Sequence, residues 1–91
     1  MADVTVTLPT LVADSAGWRS KVFEAETLAD LLERLRHDEP VVAALVFDAT
    51  GQPRQHVLVF HNDTATRWLD DLDIPVADGD RIDIVQAISG G

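Results

Sequence analysis

The sequence predicts an α+β fold in which a mixed β-sheet packs on one main helix. A single stripe of leucines has clear helical spacing, at Leu28, Leu31, Leu32 and Leu35. Several other short stretches alternate apolar and polar residues with the period of two typical of half-buried strands. One helix among several strands is too few for a doubly wound sheet, which needs helices on both faces.

Length and composition indicate one small globular domain over residues 1–91. The chain is 46% hydrophobic and 25% charged, with a formal net charge of −9. This charge argues against a nucleic-acid partner, whose phosphates require basic residues. It is explained equally well by attraction to a basic protein surface and by simple solubility. The sequence contains no cysteine, so a disulfide, a thiolate nucleophile and a thiolate metal site are excluded.

The first quarter of the chain is expected to contain two strands. Residues 4–8 alternate apolar side chains with threonines, and Pro9 ends that strand. Residues 10–17 are predicted to form a loop. Residues 18–25 are predicted to form the second strand.

The main helix has a recognisable start and end. Thr27 is a candidate N-cap, and Asp30 three residues later gives a variant of the capping box. We expect the helix to stop near His37, because Pro40 disfavours helical geometry at Glu39.

The second half of the chain is predicted to be mostly extended. Residues 41–47 are too short an apolar run to classify by periodicity, and we interpret them as a bend followed by a strand at 45–47. The elements expected after it are a turn at 49–52, a strand at 56–60, a turn at Asn62-Asp63, a short edge strand at 64–68 and a connection at 69–76.

The last strand begins after the turn signal Asp78-Gly79-Asp80, and Ile82 and Ile84 alternate with polar neighbours. A crossover through the main helix would place the first and last strands side by side and parallel, in the middle of the sheet. Antiparallel hairpins would then flank this pair.

The last strand leads into a tail, residues 88–91, that we expect to be flexible. Ser89, Gly90 and Gly91 carry almost no side chain, and glycine retains the most backbone freedom. Fully extended, residues 87–91 could reach about 13 Å. Such a tail can thread a narrow channel and present its carboxylate to an activating site that excludes water.

The whole sequence resembles the MoaD/ThiS family of ubiquitin-like sulfur carriers, and its opening looks closest to the branch that serves cysteine biosynthesis. The resemblance is carried by residues 4–11, by His61-Asn62-Asp63, by Asp78-Gly79-Asp80 with Ile82 and Ile84, and by residues 87–91. It implies a ubiquitin-like β-grasp fold.

The resemblance also implies a chemistry for the tail. An ATP-dependent activating enzyme would adenylate the carboxylate of Gly91, which would then become a thiocarboxylate. Its sulfur would pass to an enzyme of cysteine, molybdopterin, thiamin or specialised-metabolite biosynthesis. The chain itself would be no enzyme and would bind no cofactor, since the partner uses the ATP. Gly90 would give the carbonyl clearance, and Ser89 and Ile88 would belong to the same tail.

A partner-binding surface is expected on the sheet. Residues 57–60 are apolar at every position, and successive residues of a strand face opposite sides. Either Val57 and Val59 or Leu58 and Phe60 must therefore point away from the helix. We therefore expect an exposed apolar patch beside the tail, and such patches are usually binding sites. The candidate residues are Val57, Leu58, Val59, Phe60, Val85 and Ala87.

Two other functions are compatible with the same sequence. The same activated Gly91 would serve a protein modifier attacked by a target lysine, and a non-covalent adaptor would need no reactive end. His37, His56 and His61 have no metal-ligand spacing, so we expect no metal site. The start of the chain lacks the features of a signal peptide and no apolar run reaches membrane-spanning length, which makes the cytoplasm the expected location.

Overall fold

The computed structural model describes residues 1–66 and 73–86 and shows the expected α+β architecture. The strands of the described residues form a five-stranded mixed sheet in the order β2-β1-β5-β3-β4. Three helices of the described residues accompany the sheet. The elements are β1 Ala2–Thr7, α1 Thr10–Ala16, β2 Ser20–Ala25, α2 Leu28–Asp38, α3 Pro40–Val46, β3 Val57–His61, β4 Thr64–Ala65 and β5 Asp80–Gln86.

The first and last strands are parallel neighbours at the centre of the sheet, as predicted. Val6 lies opposite Ile82 in the β1–β5 register. β2 pairs with β1 and β3 pairs with β5, both antiparallel. β5 is therefore held on both sides.

One face of the sheet packs on α2 through the predicted leucine stripe. Leu28, Leu31, Leu32 and Leu35 are all buried. Opposite them, the inward side chains of the two central strands are also buried, at Val4, Val6, Ile82 and Ile84. This confirms the expected core, and its burial is the main favourable term for folding.

The start of α2 is capped nearly as predicted. The Thr27 side chain accepts a hydrogen bond from the Asp30 backbone N–H at 3.2 Å. The Asp30 carboxylate accepts from the backbone N–H of Glu26, one residue earlier than in a capping box. The helix ends at Asp38, close to the expected His37.

The prediction of a loop at residues 10–17 was wrong, because Thr10–Ala16 forms α1. The helix turns Val12 and Ala13 into the core. Gly17 ends it with a φ of 85°, and its N–H donates to the Ala13 carbonyl at 2.8 Å. Glycine at this left-handed position is a common helix ending.

The bend and strand predicted over residues 41–47 were also wrong, because Pro40–Val46 forms α3. Pro40 occupies the first helical position, where its missing N–H has no cost. Val42 and Val46, four residues apart, are buried together. Extended backbone begins only at Phe47, which forms an isolated bridge with Pro53.

The remaining boundaries differ by a few residues. β2 begins two residues later than predicted, and β3 ends one residue later. The short edge strand covers only Thr64–Ala65, while residues 67 and 68 of the prediction lie outside the described part. The turn before it is present, with a positive φ at both Asn62 and Asp63. Within the described residues, no helix has the length and apolar character needed to cross a membrane.

Candidate functional site

The turn at residues 78–80 fixes the start of β5 against β1. Gly79 has a φ of 87°, which its missing Cβ permits. Its N–H donates to the Asp3 carbonyl at 3.0 Å, and the Asp78 carboxylate accepts from the Asp3 N–H at 2.8 Å. The Asp-Gly-Asp motif thus sets the register between the two central strands.

Asp80 joins this turn to the hairpin of β3 and β4. Its carboxylate accepts from the Ala77 N–H at 2.9 Å, lies 2.8 Å from His61 Nε2 and accepts from Asn62 Nδ2 at 2.9 Å. These bonds, the backbone bond first, lower the pKa of Asp80 to about 2. Two motifs separated by fourteen residues of sequence, 64–77, therefore meet in one hydrogen-bonded cluster.

Asn62, in the turn between β3 and β4, adds two hydrogen bonds to Arg81 of β5. Its backbone N–H donates to the Arg81 carbonyl at 3.0 Å, and its side-chain oxygen accepts from the Arg81 N–H at 2.8 Å. The Arg81 guanidinium forms an ion pair with Asp63 at 3.0 Å. The acidic residues here serve the turns, and among the described residues no cluster of three or more potential metal ligands occurs.

The outer face of the sheet, away from α2, carries an apolar patch where β3 and β5 meet. Leu58 lies opposite Val85 in the register, and these side chains are 48% and 42% exposed. Val57 and Val59 are buried on the inner face, and Phe60 is half-buried. We call Leu58 and Val85 the outer patch.

A groove of about 340 Å³ lies beside the patch, at the end of β5. Leu11 of α1 is 67% exposed and lines the groove together with Arg19, Val85 and Gln86. Sequence reasoning missed Leu11, because it treated residues 10–17 as a loop, and it placed Arg19 in a strand without a functional role. The left-handed cap at Gly17 was the available signal, since glycine often follows the last residue of a helix.

The predicted tail lies outside the described residues. This applies to Ala87, Ile88, Ser89, Gly90 and Gly91. The described chain reaches Gln86, which lines the groove. The site consequently consists of a firmly held strand, an exposed apolar patch on its outer face and a groove at its end.

The fold is that of a ubiquitin-like β-grasp protein, and solved structures match it over nearly the whole chain. The small archaeal modifier protein SAMP1 from Haloferax volcanii has a TM-score of 0.79 and 26% identity, covering 99% of this chain and 100% of that one. CysO from Mycobacterium tuberculosis has a TM-score of 0.76 and 26% identity, covering 93% and 99%.

Sequence comparison identifies the family. The ThiS family model matches residues 6–91, so the chain belongs to the ThiS family. The sulfur carrier protein CysO of Mycobacterium bovis is 27% identical over 92 residues, which cover 98% of this chain and 99% of the relative.

Proposed function

We propose that this protein is a sulfur carrier whose terminal glycine, Gly91, holds the sulfur as a thiocarboxylate. The observation that carries the proposal is that β5, bonded to a strand on each side, is followed two residues later in the sequence by Ser89-Gly90-Gly91. Membership of the ThiS family and similarity to proteins named as sulfur carriers support it.

The chemistry takes place on one carboxyl group. Its oxygen attacks the α-phosphorus of ATP on an activating enzyme, which gives an acyl-adenylate and releases pyrophosphate. A hydrosulfide ion then attacks the carbonyl carbon, AMP leaves, the sulfur loses its proton and the thiocarboxylate remains. Gly90 and Gly91 carry no Cβ, so the carbonyl stays accessible in a narrow site. The chain binds no cofactor in this scheme, since the ATP belongs to the partner.

The outer patch and the adjoining groove are the proposed docking surface. Leu58, Val85 and Leu11 offer exposed apolar area at the base of the tail. A net charge of −9 would steer the chain towards a basic partner surface. Both the activating enzyme and the sulfur-accepting enzyme need access to the tail, so we expect them to use this surface in turn. The cytoplasm, which supplies ATP, is the proposed location.

Cysteine biosynthesis is the first acceptor pathway to test, because two of the three similar proteins named above are CysO proteins. The syntheses of molybdopterin, of thiamin and of specialised metabolites are the next pathways to test, in that order. The acceptor enzymes of the source organism can be compared directly, by incubating each with the thiocarboxylated protein and measuring transferred sulfur.

Intact-protein mass spectrometry tests the proposal. The full chain is incubated with the activating enzyme of its own organism, ATP and a sulfur donor, and reactions without ATP or without enzyme serve as controls. We expect a gain equal to the mass difference between sulfur and oxygen, localised by fragmentation to Gly91. The same spectrum checks that Gly91 is the terminal residue. No gain under conditions that load a known carrier would contradict the proposal.

A second function, protein modification, is favoured by the similarity to the archaeal modifier SAMP1. In that case a target lysine attacks the activated carbonyl of Gly91 and an isopeptide bond forms. Isolation of the tagged protein from its own organism under denaturing conditions separates the two functions. Glycine-modified lysine peptides from other proteins would establish conjugation, whereas a terminal thiocarboxylate without them would leave the carrier function alone.

A further inference from the structure

The two edges of the sheet differ in a way that points to a second binding site. One edge is β4, which has two residues, and the other is β2, which has six. The β1–β2 register runs without interruption from Ala2 opposite Ala25 to Thr7 opposite Ser20. β2 contains no proline and no bulge. Long, regular edges are usually protected, because their unpaired backbone groups accept a further strand.

The register shows which backbone groups face outwards. The Leu8 N–H donates to the Arg19 carbonyl at 2.8 Å, so Arg19 directs its backbone towards β1. Hydrogen-bonded and non-hydrogen-bonded residues alternate along an antiparallel pair. Val22 and Glu24 therefore direct their N–H and C=O groups towards the outer edge. The described residues provide no backbone hydrogen-bond partner for these outward groups.

A groove runs along this edge, between β2 and α2. It consists of two adjoining hollows of about 380 and 210 Å³ that share Glu24 and Arg34 in their lining. Asp30 and Glu33 line the larger hollow and Asp38 the smaller one. Four carboxylates and two permanently charged cations, Lys21 and Arg34, thus line the groove, and Glu33 also lies 3.6 Å from the Arg36 guanidinium.

One of those cations is already engaged. Lys21 Nζ lies 2.7 Å from the Glu39 carboxylate and 5.7 Å from the centre of the Trp18 ring. Trp18 Nε1 donates to the same carboxylate at 2.7 Å. This cluster leaves the groove with an excess of negative charge, while Val22 beside it is 58% exposed.

We propose that the β2 edge binds an extended segment of another protein, which adds to the sheet as a sixth strand next to β2. Its side chains alternate between basic residues, which face the carboxylates of α2, and apolar residues, which lie beside Val22. Backbone hydrogen bonds to Val22 and Glu24 supply affinity, and the alternation supplies specificity. A second copy of this chain is a poor occupant, because each copy carries a net charge of −9.

The site is independent of the function proposed for the tail. β1 separates β2 from β5, so the edge lies roughly 10 Å from the strand that leads to Gly91, at about 4.8 Å per strand. A segment bound there leaves the outer patch open. If strand addition at the β2 edge is disproved, the sulfur-carrier proposal still stands. If the sulfur-carrier proposal is disproved, strand addition still stands.

Nuclear magnetic resonance titration of the isotope-labelled full chain tests this proposal. The probe is an end-blocked peptide of alternating lysine and valine, and a peptide of alternating glutamate and valine is its control. We expect saturable shifts in residues 20–25 and 30–38 with the basic peptide. The acidic peptide should bind at least tenfold more weakly, because it meets like charge.

Two variants separate strand addition from simple charge attraction. Val22→Pro removes one outward N–H while keeping the ladder to β1, and should weaken binding about tenfold, the equivalent of one hydrogen bond. Val22→Thr keeps the N–H and should change affinity by less than about threefold. Glu33→Lys should weaken binding about threefold, as an exposed charge does.

Three results would overturn the proposal. They are shifts centred on Leu58 and Val85, an affinity that Val22→Pro leaves unchanged in a folded protein, and shifts of β2 that depend on protein concentration without peptide. The last result would identify a second copy as the occupant. Absence of any shift at millimolar peptide would overturn it as well.

Discussion

The inner and outer faces of the β3–β5 pair differ sharply, although their sequences are almost equally apolar. Val59 is 2% exposed and faces Ile84 across the strands, whereas its neighbour Leu58 is 48% exposed and faces Val85. Alternation along the strand assigns one residue to the core and the next to solvent. Apolar character on the inner face stabilises the fold, and on the outer face it is available for a partner.

The largest expected effect belongs to the inner face. Leu32→Ala should lower the free energy of unfolding by about 2–5 kcal/mol, because Leu32 is buried between α2 and the sheet. Leu58→Ala, which removes as many atoms from an exposed site, should change it by less than about 0.5 kcal/mol. Urea denaturation measures both. Similar losses for the two variants would contradict the assignment of the faces.

Asp80, at the start of β5, should make the free energy of unfolding depend on pH. Asp80 has its pKa lowered to about 2 by Ala77, His61 and Asn62, so its folded value lies below its unfolded value. The resulting stabilisation is complete above the unfolded pKa, about 3.9, and is lost as the pH falls through about 2. It should be on the order of 1–2 kcal/mol after allowance for partial exposure.

Asp80→Asn tests this contribution. The variant should be less stable at pH 7 and should lose less stability than the parent between pH 5 and pH 2. Asp73→Asn is a matched control, since Asp73 is exposed and lies outside the cluster. Thermal unfolding at a series of pH values gives the comparison, and parallel curves for parent and Asp80→Asn would refute it.

The outer patch should affect binding and leave stability nearly unchanged. Leu58→Ala combined with Val85→Ala should weaken binding to the activating enzyme about tenfold, as loss of a central apolar contact does. Val41→Ala provides a control, because Val41 is exposed on α3, away from the outer face. Calorimetric titration measures the affinities. Equal affinity for the parent and the double variant would place the docking surface elsewhere.

The smallest expected effect concerns encounter with the partner. The association rate should fall severalfold as ionic strength rises from about 0.05 to 0.5 M, because screening weakens steering by a net charge of −9. Dissociation, which depends on the apolar outer patch, should change little. Stopped-flow measurements separate the two rates. An association rate that does not change with salt would show that the net charge does not speed the encounter with the partner.

The features predictable from the sequence were those with a long, regular pattern. The leucine stripe of α2 and the alternating β1 and β5 are of this kind, and they were sufficient to predict the central parallel pair. α1 and α3 have seven residues each, too few for a helical period to show. Pro40 was also a helix-start signal for α3, but the sequence analysis used it only to end α2.

The site was predictable only in part. The run of residues 57–60 indicated an apolar patch, but its uniform composition left the outward half open until the register placed Leu58 opposite Val85. Leu11 was missed because its exposure depends on α1. The contact between Asp80 and His61 joins two turns that are remote in sequence, and no local pattern reports such a contact.

The tail supplies the most direct test of the central claim, that the carboxylate of Gly91 reacts. Deleting Gly91 withdraws the end of the chain by about 3.3 Å, and appending one alanine after Gly91 blocks the reacting carboxylate. Reacting atoms must approach within roughly 3–3.5 Å, so both variants should fold normally and lose nearly all sulfur loading. Mass spectrometry after incubation with the activating enzyme, ATP and a sulfur donor measures the loading. If the alanine-extended chain, shown to be unprocessed, still carries sulfur to the acceptor, the mechanism proposed for Gly91 is wrong.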